Sequence, residues 1–357
     1  DLWRCCIARE LVSSENPFSL TWERHSGGQD TLEALALADM KLFFELLNAP
    51  PEGRAWPLLR NFRHESRRTA DCASFLAFSG ELAAAGSPEG LLDRLTAFYQ
   101  TRGVGLLGMG QVFRARRTGD GAELVSVEDR PPVRLADLVG YRQQKDLLIR
   151  NTEAFLRGKG SNNVLLYGDA GTGKSTSIQA LVNEYADQGL RLIELYKEQY
   201  DLIPDILRQV KGRNYRFLLF LDDLSFEENE TSYKYLKAVM EGGAEAPPEN
   251  VRICATSNRR HLVREVWSDR SDVEHNGDIH RSDTVEEKLS LASRFGLQIF
   301  YPAPTFEEYQ QIVSALSEKA GTDLSPEQLR AAAATWQVRS GSRSGRTARQ
   351  FVDQLEH

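Results

Sequence analysis

The stretch from Asn163 to Thr176, NVLLYGDAGTGKST, constrains this chain more than any other. The apolar run Val164 to Tyr167 reads as a strand, and Gly168 to Ser175 fits G-x-x-x-x-G-K-[ST]. Beyond it, Ile178, Leu181, Val182 and Tyr185 recur at helical spacing up to a stop near Gly189. Strand, glycine-rich loop and helix in that order make a phosphate cradle, because small residues let backbone N–H groups curl inward and a helix N-terminus adds positive potential. Gly168, Asp169, Ala170, Gly171, Thr172, Gly173, Lys174, Ser175 and Thr176 would line it. Lys174 would reach the β- and γ-phosphates, and the Ser175 hydroxyl would hold magnesium. The implied ligand is ATP or GTP with Mg²⁺.

A chain of 357 residues exceeds one ordinary core, so about two or three domains are expected. With 41% hydrophobic and 27% charged residues it has the composition of a globular protein. The formal charge of −7 leaves nucleic-acid contact to local patches only. Cys5, Cys6, Cys72 and Cys254 have neither metal-ligand nor disulfide-framework spacing, which points to reduced thiols and a cytoplasmic location. No apolar run approaches the roughly 20 residues that span a bilayer, so no membrane partner is expected. No basic-then-apolar leader opens the sequence, which begins at Asp1.

Residues 1–129 read as a mostly helical leading domain with a short hairpin, assigned to partner recognition. Asp30 to Asn48 carries Leu32, Leu35, Met40, Phe43 and Leu47 on one face, and Ser87-Pro88-Glu89 opens a second helix. Gln111–Arg117 and Glu123–Glu128 flank Thr118-Gly119-Asp120-Gly121 as a β-hairpin. Gly103 to Gly108 spells G-x-G-x-x-G, but a helix precedes it and a strand follows, the reverse of what dinucleotide binding needs. The clusters Arg63 to Arg68 and Arg114 to Arg117 read as solvated surface, since no aromatic residues interleave with them.

Arg130-Pro131-Pro132 marks a boundary, after which residues 130–304 form an α/β core. Leu135 to Tyr141, with Val139 and Gly140, is placed to fold over an adenine ring. A helix from about Gln143 to Leu156 would turn Leu147, Leu148, Phe155 and Leu156 inward. Leu192–Leu195, Phe217–Leu221 and Val251–Thr256 alternate with helices, which implies a parallel sheet covered on both faces and a ligand site at the strand C-termini. Asp222 lands there as a magnesium-shell ligand, Asp223 as the group that orients or deprotonates water, and Asn258 beside them. Arg259, Arg260, His261 and Arg264 follow and face a charged substrate or solvent. Trp267 to Thr284 reads as an exposed loop whose His275, Asp278 and His280 fit no recognised metal site. A helix from Thr284 leads to Ser293-Arg294-Phe295-Gly296 and a last strand, Leu297 to Tyr301.

Residues 305–357 form a small helical lid. Thr305 with Glu308, and Ser325-Pro326, open two helices, and Gly345 to Leu355 supplies a third. Arg346 and Arg349 near the start of the third can turn back onto the phosphates.

These pieces, in this order, resemble the AAA+ ATPases from about Leu135 to His357. The likeness runs through LADLVGY, the Walker A loop GDAGTGKS, the Walker B strand FLLFLDD, a sensor 1 residue at Asn258, a finger-type SRF at Arg294 and a sensor 2 arginine in GRTARQF. For the last, Arg349 is favoured and Arg346 is the alternative. YGDAGTGKS, LDDLSFE, ATSNRRHLV and EKLSLASRFGL are similar to a bacterial family designated DUF815, a likeness expected to extend back through the leading region. The resemblance implies an AAA+ P-loop α/β core with a C-terminal lid, Mg-ATP hydrolysed at subunit interfaces with Arg294 acting in trans, a homo-oligomer and a macromolecular client. The usual Asp-Glu of Walker B is Asp222-Asp223 here, which sets the second carboxylate back by about 1.5 Å. Helicase-loader and transposition-helper relatives share Asp-Asp, and Glu227 or Glu228 lies nearby as a substitute. The expected function is an ATPase that remodels or loads a partner. An ATP-gated switch with negligible turnover and a DNA-associated loader are the competing readings.

Overall fold

Strand pairing decides which parts of this chain belong together. The computed structural model describes residues 2–24, 30–48, 70–119, 121–128, 130–224, 232–242, 247–258 and 291–355. Two compact units result: Asp1–Gln111 with Gly212–Asn214, and Val112–Lys211 with Tyr215–His357. Expectations placed on Arg63 to Arg68, on Glu227 and Glu228, and on residues 259–290, including the Trp267–Thr284 loop, lie outside the described residues.

The leading unit is helical: α1 (Leu2–Ser13), α2 (Pro17–Glu23), α3 (Asp30–Asn48), α4 (Ala70–Ala83), α5 (Pro88–Arg102) and α6 (Gly105–Met109). Two starts are chemically marked. Asn16 and Ser19 form a reciprocal capping box, and Ser87 Oγ accepts the Gly90 amide ahead of Pro88. Leu11, Met40, Leu47, Leu82, Leu91, Leu95 and Tyr99 share one core. The α3 face is narrower than its periodicity implies, because Leu35 is 61% exposed. Gly103 to Gly108 spans the joint from α5 to α6, where Gly103 ends α5 with φ 77°. Buried within this unit, Glu23 accepts from Arg213 Nε at 2.6 Å, Arg213 Nη2 at 2.9 Å and the Val104 amide at 2.9 Å.

The second unit is built on a seven-stranded sheet of order β2-β1-β4-β5-β6-β3-β7. Its elements are β1 (Val112–Thr118), β2 (Gly121–Ser126), α7 (Arg142–Leu156), β3 (Val164–Gly168), α8 (Lys174–Tyr185), β4 (Leu190–Leu195), α9 (Ile203–Val210), β5 (Arg216–Leu221), α10 (Ser232–Met240), β6 (Val251–Ser257) and β7 (Leu297–Tyr301). Three helices follow, α11 (Phe306–Ala320), α12 (Pro326–Ser340) and α13 (Gly345–Leu355). Strands β3 to β7 pair in parallel and β1 with β2 antiparallel. β4, β5 and β6 are buried on both faces almost throughout, the reason Phe217 to Leu221 of β5 reads as a continuous apolar run.

The hairpin forms where expected but not in the expected domain. β1 continues the parallel sheet, Val112 level with Leu192 and Arg114 with Glu194, so the second unit begins at Val112 and not at residue 130. The driving force is burial of Val112, Phe113 and Ala115. The exposed arginines of the same strand are matched by acids: Arg114 with Glu194 at 3.0 Å, Arg116 with Glu123 at 2.6 Å and Arg117 with Asp201 at 2.8 Å. In α7, Leu148 and Phe155 are buried, whereas Leu147 is 44% exposed. The lid helices start where expected, at the Thr305–Glu308 box and at Ser325-Pro326, where Gln328 completes a second box, and they close on Tyr309, Val313, Leu329, Ala333, Phe351 and Val352.

Candidate functional site

Parallel pairing brings three chain segments to one end of the sheet: the loop after β3, the Asp pair after β5 and Asn258 after β6. The loop is shaped by residues that tolerate unusual backbone. Gly168 has φ 132°, and a Cβ there would stand 2.2 Å from Tyr301 O. Gly171 has φ 73° and packs so closely on the lid that an added Cβ would meet Ser344 Oγ at 2.9 Å and Arg346 Cβ at 3.0 Å. Gly173 then starts α8 without a side-chain cap, so the first amides of that helix keep their donors for a ligand.

Around this turn the contacts are specific. Thr172 Oγ1 donates to Asp169 O at 2.8 Å. Asp169 joins the loop to the strand leading into the lid: its amide donates to Tyr301 O at 3.2 Å and its Oδ2 accepts from the Ala303 amide at 2.8 Å. Lys174 is 5% exposed and donates to Gly168 O at 3.1 Å and Asp169 O at 2.6 Å. Burial pushes its pKa below the usual lysine value, an effect that Asp169, Asp222 and Asp223 oppose.

At the ends of the neighbouring strands, Ser175 Oγ donates to Asp222 Oδ1 at 2.6 Å. Thr256 Oγ1 meets the same Asp222 oxygen at 2.5 Å and accepts the Asp223 amide at 2.9 Å. Asn258 Nδ2 donates to Asp223 Oδ1 at 2.8 Å. Asp223 takes φ 54°, a left-handed conformation unusual for a residue with a side chain. The donor set fits magnesium, since a hydroxyl and a carboxylate oxygen are hard ligands and the ion completes its octahedron with water and phosphate oxygens. The cradle fits a triphosphate, with helix amides and an ammonium converging on one place.

The adenine-side segment is held by its neighbours. Lys145 Nζ donates to Leu138 O at 2.8 Å, Tyr141 stacks on Tyr301 at 5.0 Å between ring centres, and Tyr141 Oη donates to Pro302 O at 2.9 Å. Gly140 and Tyr141 both have positive φ, 78° and 53°, which turns the chain sharply into α7. Val139 packs against the lid core. From α13, Arg346 meets the loop, its amide donating to Gly171 O at 3.3 Å. Its charge also lies near enough to Lys174 to depress that pKa further. Arg349 lies three residues further along α13. The backbone of Arg346 thus adjoins the loop, while Arg346 and Arg349 are both exposed on the same helix.

Arg294 is not brought into this cluster. It precedes Leu297, which is level with Val164, at the opposite end of the sheet from the loop after Gly168. Its guanidinium lies 3.6 Å from Glu241. Arg259, Arg260, His261 and Arg264 fall outside the described residues. The sequence singles out Asn258 and not Thr256, although a hydroxyl near the end of a central strand, two residues before Asn258, is a usable signal.

The family model described as "Protein of unknown function (DUF815)" matches residues 110–357. The replication factor C large subunit of Methanococcus vannielii is 26% identical over 211 residues, 56% of this chain and 39% of that protein. The chain thus spans well under half the length of that relative. Among solved structures, the RuvB Holliday junction branch migration motor of Thermotoga maritima has a TM-score of 0.43 at 18% identity, covering 63% of this chain and 64% of that one. The FIGL-1 AAA domain in complex with ADP has a TM-score of 0.44 at 19% identity, covering 64% and 73%. Among the described residues, no helix is long and apolar enough to cross a membrane.

Proposed function

The chain belongs to the DUF815 family, and from that premise we propose that it is an AAA+ ATPase that binds Mg-ATP between its sheet and its lid and hydrolyses it. The observation that carries this reading is the continuous path Ser175–Asp222–Thr256–Asp223–Asn258, with Lys174 in the loop beside it. Lys174 releases the Gly168 and Asp169 carbonyls and turns to the β- and γ-phosphates. Ser175 and Asp222 would hold Mg²⁺, which when bound would neutralise charge on the phosphate oxygens. Asn258 fixes Asp223 Oδ1 and leaves Oδ2 to orient the attacking water and take its proton. Arg346 steadies the phosphates from the lid, and Arg294 serves the site of a neighbouring copy in a homo-oligomer.

Closure of the lid on nucleotide would change the contacts of Asp169 and Gly171, the two loop residues bonded toward it. The leading helical unit is assigned to recognition of a macromolecular client, which the ATPase remodels or loads. Free thiols at Cys5, Cys6 and Cys254 support a reducing, cytoplasmic setting. The paired arginines of β1 argue against that strand as a nucleic-acid surface.

Phosphate release by the wild type and by Asp223→Ala tests the proposal. Release above background that falls by roughly 10²-fold or more in the variant supports hydrolysis through Asp223. Equal, near-background rates would leave a nucleotide-gated switch.

A further inference from the structure

One side chain at the strand ends belongs neither to the loop nor to the acidic pair, yet it touches both acids. Thr256 is 2% exposed and comes level with Asp222 because Leu221 pairs with Ala255. A hydroxyl has one proton and two lone pairs. The Asp223 amide, 2.9 Å away, can only donate, so it takes a lone pair. That leaves the proton for Asp222 Oδ1 at 2.5 Å. A single buried hydroxyl therefore restrains the carboxylate of one acid and the backbone of the next. Asp223 needs such a restraint, since its φ of 54° is disfavoured for a residue with a Cβ. The strand end is stiffened from the same residue, Thr256 O accepting the Leu224 amide at 2.6 Å.

We propose that Thr256 is a positioning residue that divides the work of the two acids. Its hydroxyl keeps Asp222 Oδ1 turned to Ser175 for the metal, and it sets the backbone of Asp223 so that its carboxylate stays on Asn258. Two adjacent aspartates have the same reach, and this hydroxyl, bonded to the side chain of one and the backbone of the other, helps to hold them in different roles beside Ser175 and Asn258. The inference rests on the Mg-ATP reading of the site.

The test uses the full chain and Thr256→Val, which keeps the shape without the hydroxyl, Thr256→Ala as a second hydroxyl-free variant in case the first misfolds, and Thr256→Ser, which restores the hydroxyl. Binding of a fluorescent ATP analogue is titrated against Mg²⁺ and repeated in EDTA, with thermal melts alongside. Loss of an outer-sphere partner of this kind raises the half-saturating Mg²⁺ concentration by about 10- to 100-fold. Binding in EDTA is expected to be unchanged, and Thr256→Ser to return the Mg²⁺ dependence close to wild type. Wild-type Mg²⁺ dependence in both hydroxyl-free variants overturns the inference while leaving the nucleotide site intact, as does a serine variant that behaves like valine. A wild type that binds no nucleotide at any Mg²⁺ concentration overturns the proposed function and this inference with it.

Discussion

Substituting Glu23 tests the leading unit at its most heavily bonded point. The Glu23 side chain is fully buried and receives two bonds from Arg213, one from the Val104 amide and one from the Asn214 amide at 3.3 Å. Glu23→Ala leaves Arg213, itself only 6% exposed, with Glu15 at 2.9 Å and Val104 O at 2.8 Å, and strips the two amides of their acceptor. Breaking one side of a buried pair costs about 3–5 kcal/mol. Because the half-exposed Glu15 retains part of the interaction, about 3 kcal/mol is expected, the lower end of that range. The assay is hydrogen exchange by mass spectrometry on the full chain. Amides in α2 and α5 should exchange about 10²-fold faster, while a double change to Leu at 23 and Met at 213 should recover most of the loss. Residues 1–111 expressed alone lack Arg213 and should show the same deficit. A loss below about 1 kcal/mol would refute the reasoning, because the pair would then behave like a solvated one.

Two further outcomes follow from the site. Arg346→Ala should weaken ATP affinity roughly tenfold, the worth of one charge-assisted contact, and Arg349→Ala should change it little in an anisotropy titration of a fluorescent ATP analogue; equal losses would contradict the assignment of the phosphate contact to Arg346. The lowered Lys174 pKa means that the folded, ligand-free protein binds fewer protons than the unfolded chain between that lowered value and 10.5. Over that interval stability should rise with pH while nucleotide affinity falls, since a bound triphosphate restores the charge and binding takes up a proton. Calorimetry in buffers of different ionisation enthalpy reads that uptake directly, and pH-independent affinity across the interval would contradict it.

Local chemistry was legible in the sequence and long-range pairing much less so. Helix starts at Ser87, Thr305 and Ser325 carry their signals within four residues, and each cap is present. The loop motif, Asp222 and Asn258 follow from where apolar runs end, because parallel strands deliver their C-termini to one edge. The hairpin was visible, but its membership in the sheet was not: three pairs between β1 and β4 decide it, and no local period encodes them. The choice between Arg346 and Arg349 needs the path of α13 relative to Gly171, which two arginines three residues apart cannot reveal. Thr256 is hidden for a related reason, since its two partners lie just past the end of the neighbouring strand, β5. The Glu23–Arg213 pair joins residues 190 positions apart and leaves no trace in either neighbourhood.

The central claim is that the loop amides and Lys174 grip a nucleotide phosphate chain. Titrating ATP in magnesium buffer into the wild type and into Lys174→Ala measures it without relying on turnover. Loss of the ammonium should weaken binding by about 1.5–3 kcal/mol, roughly 10- to 150-fold. Equal affinity in the two proteins, or none in the wild type, would contradict the account.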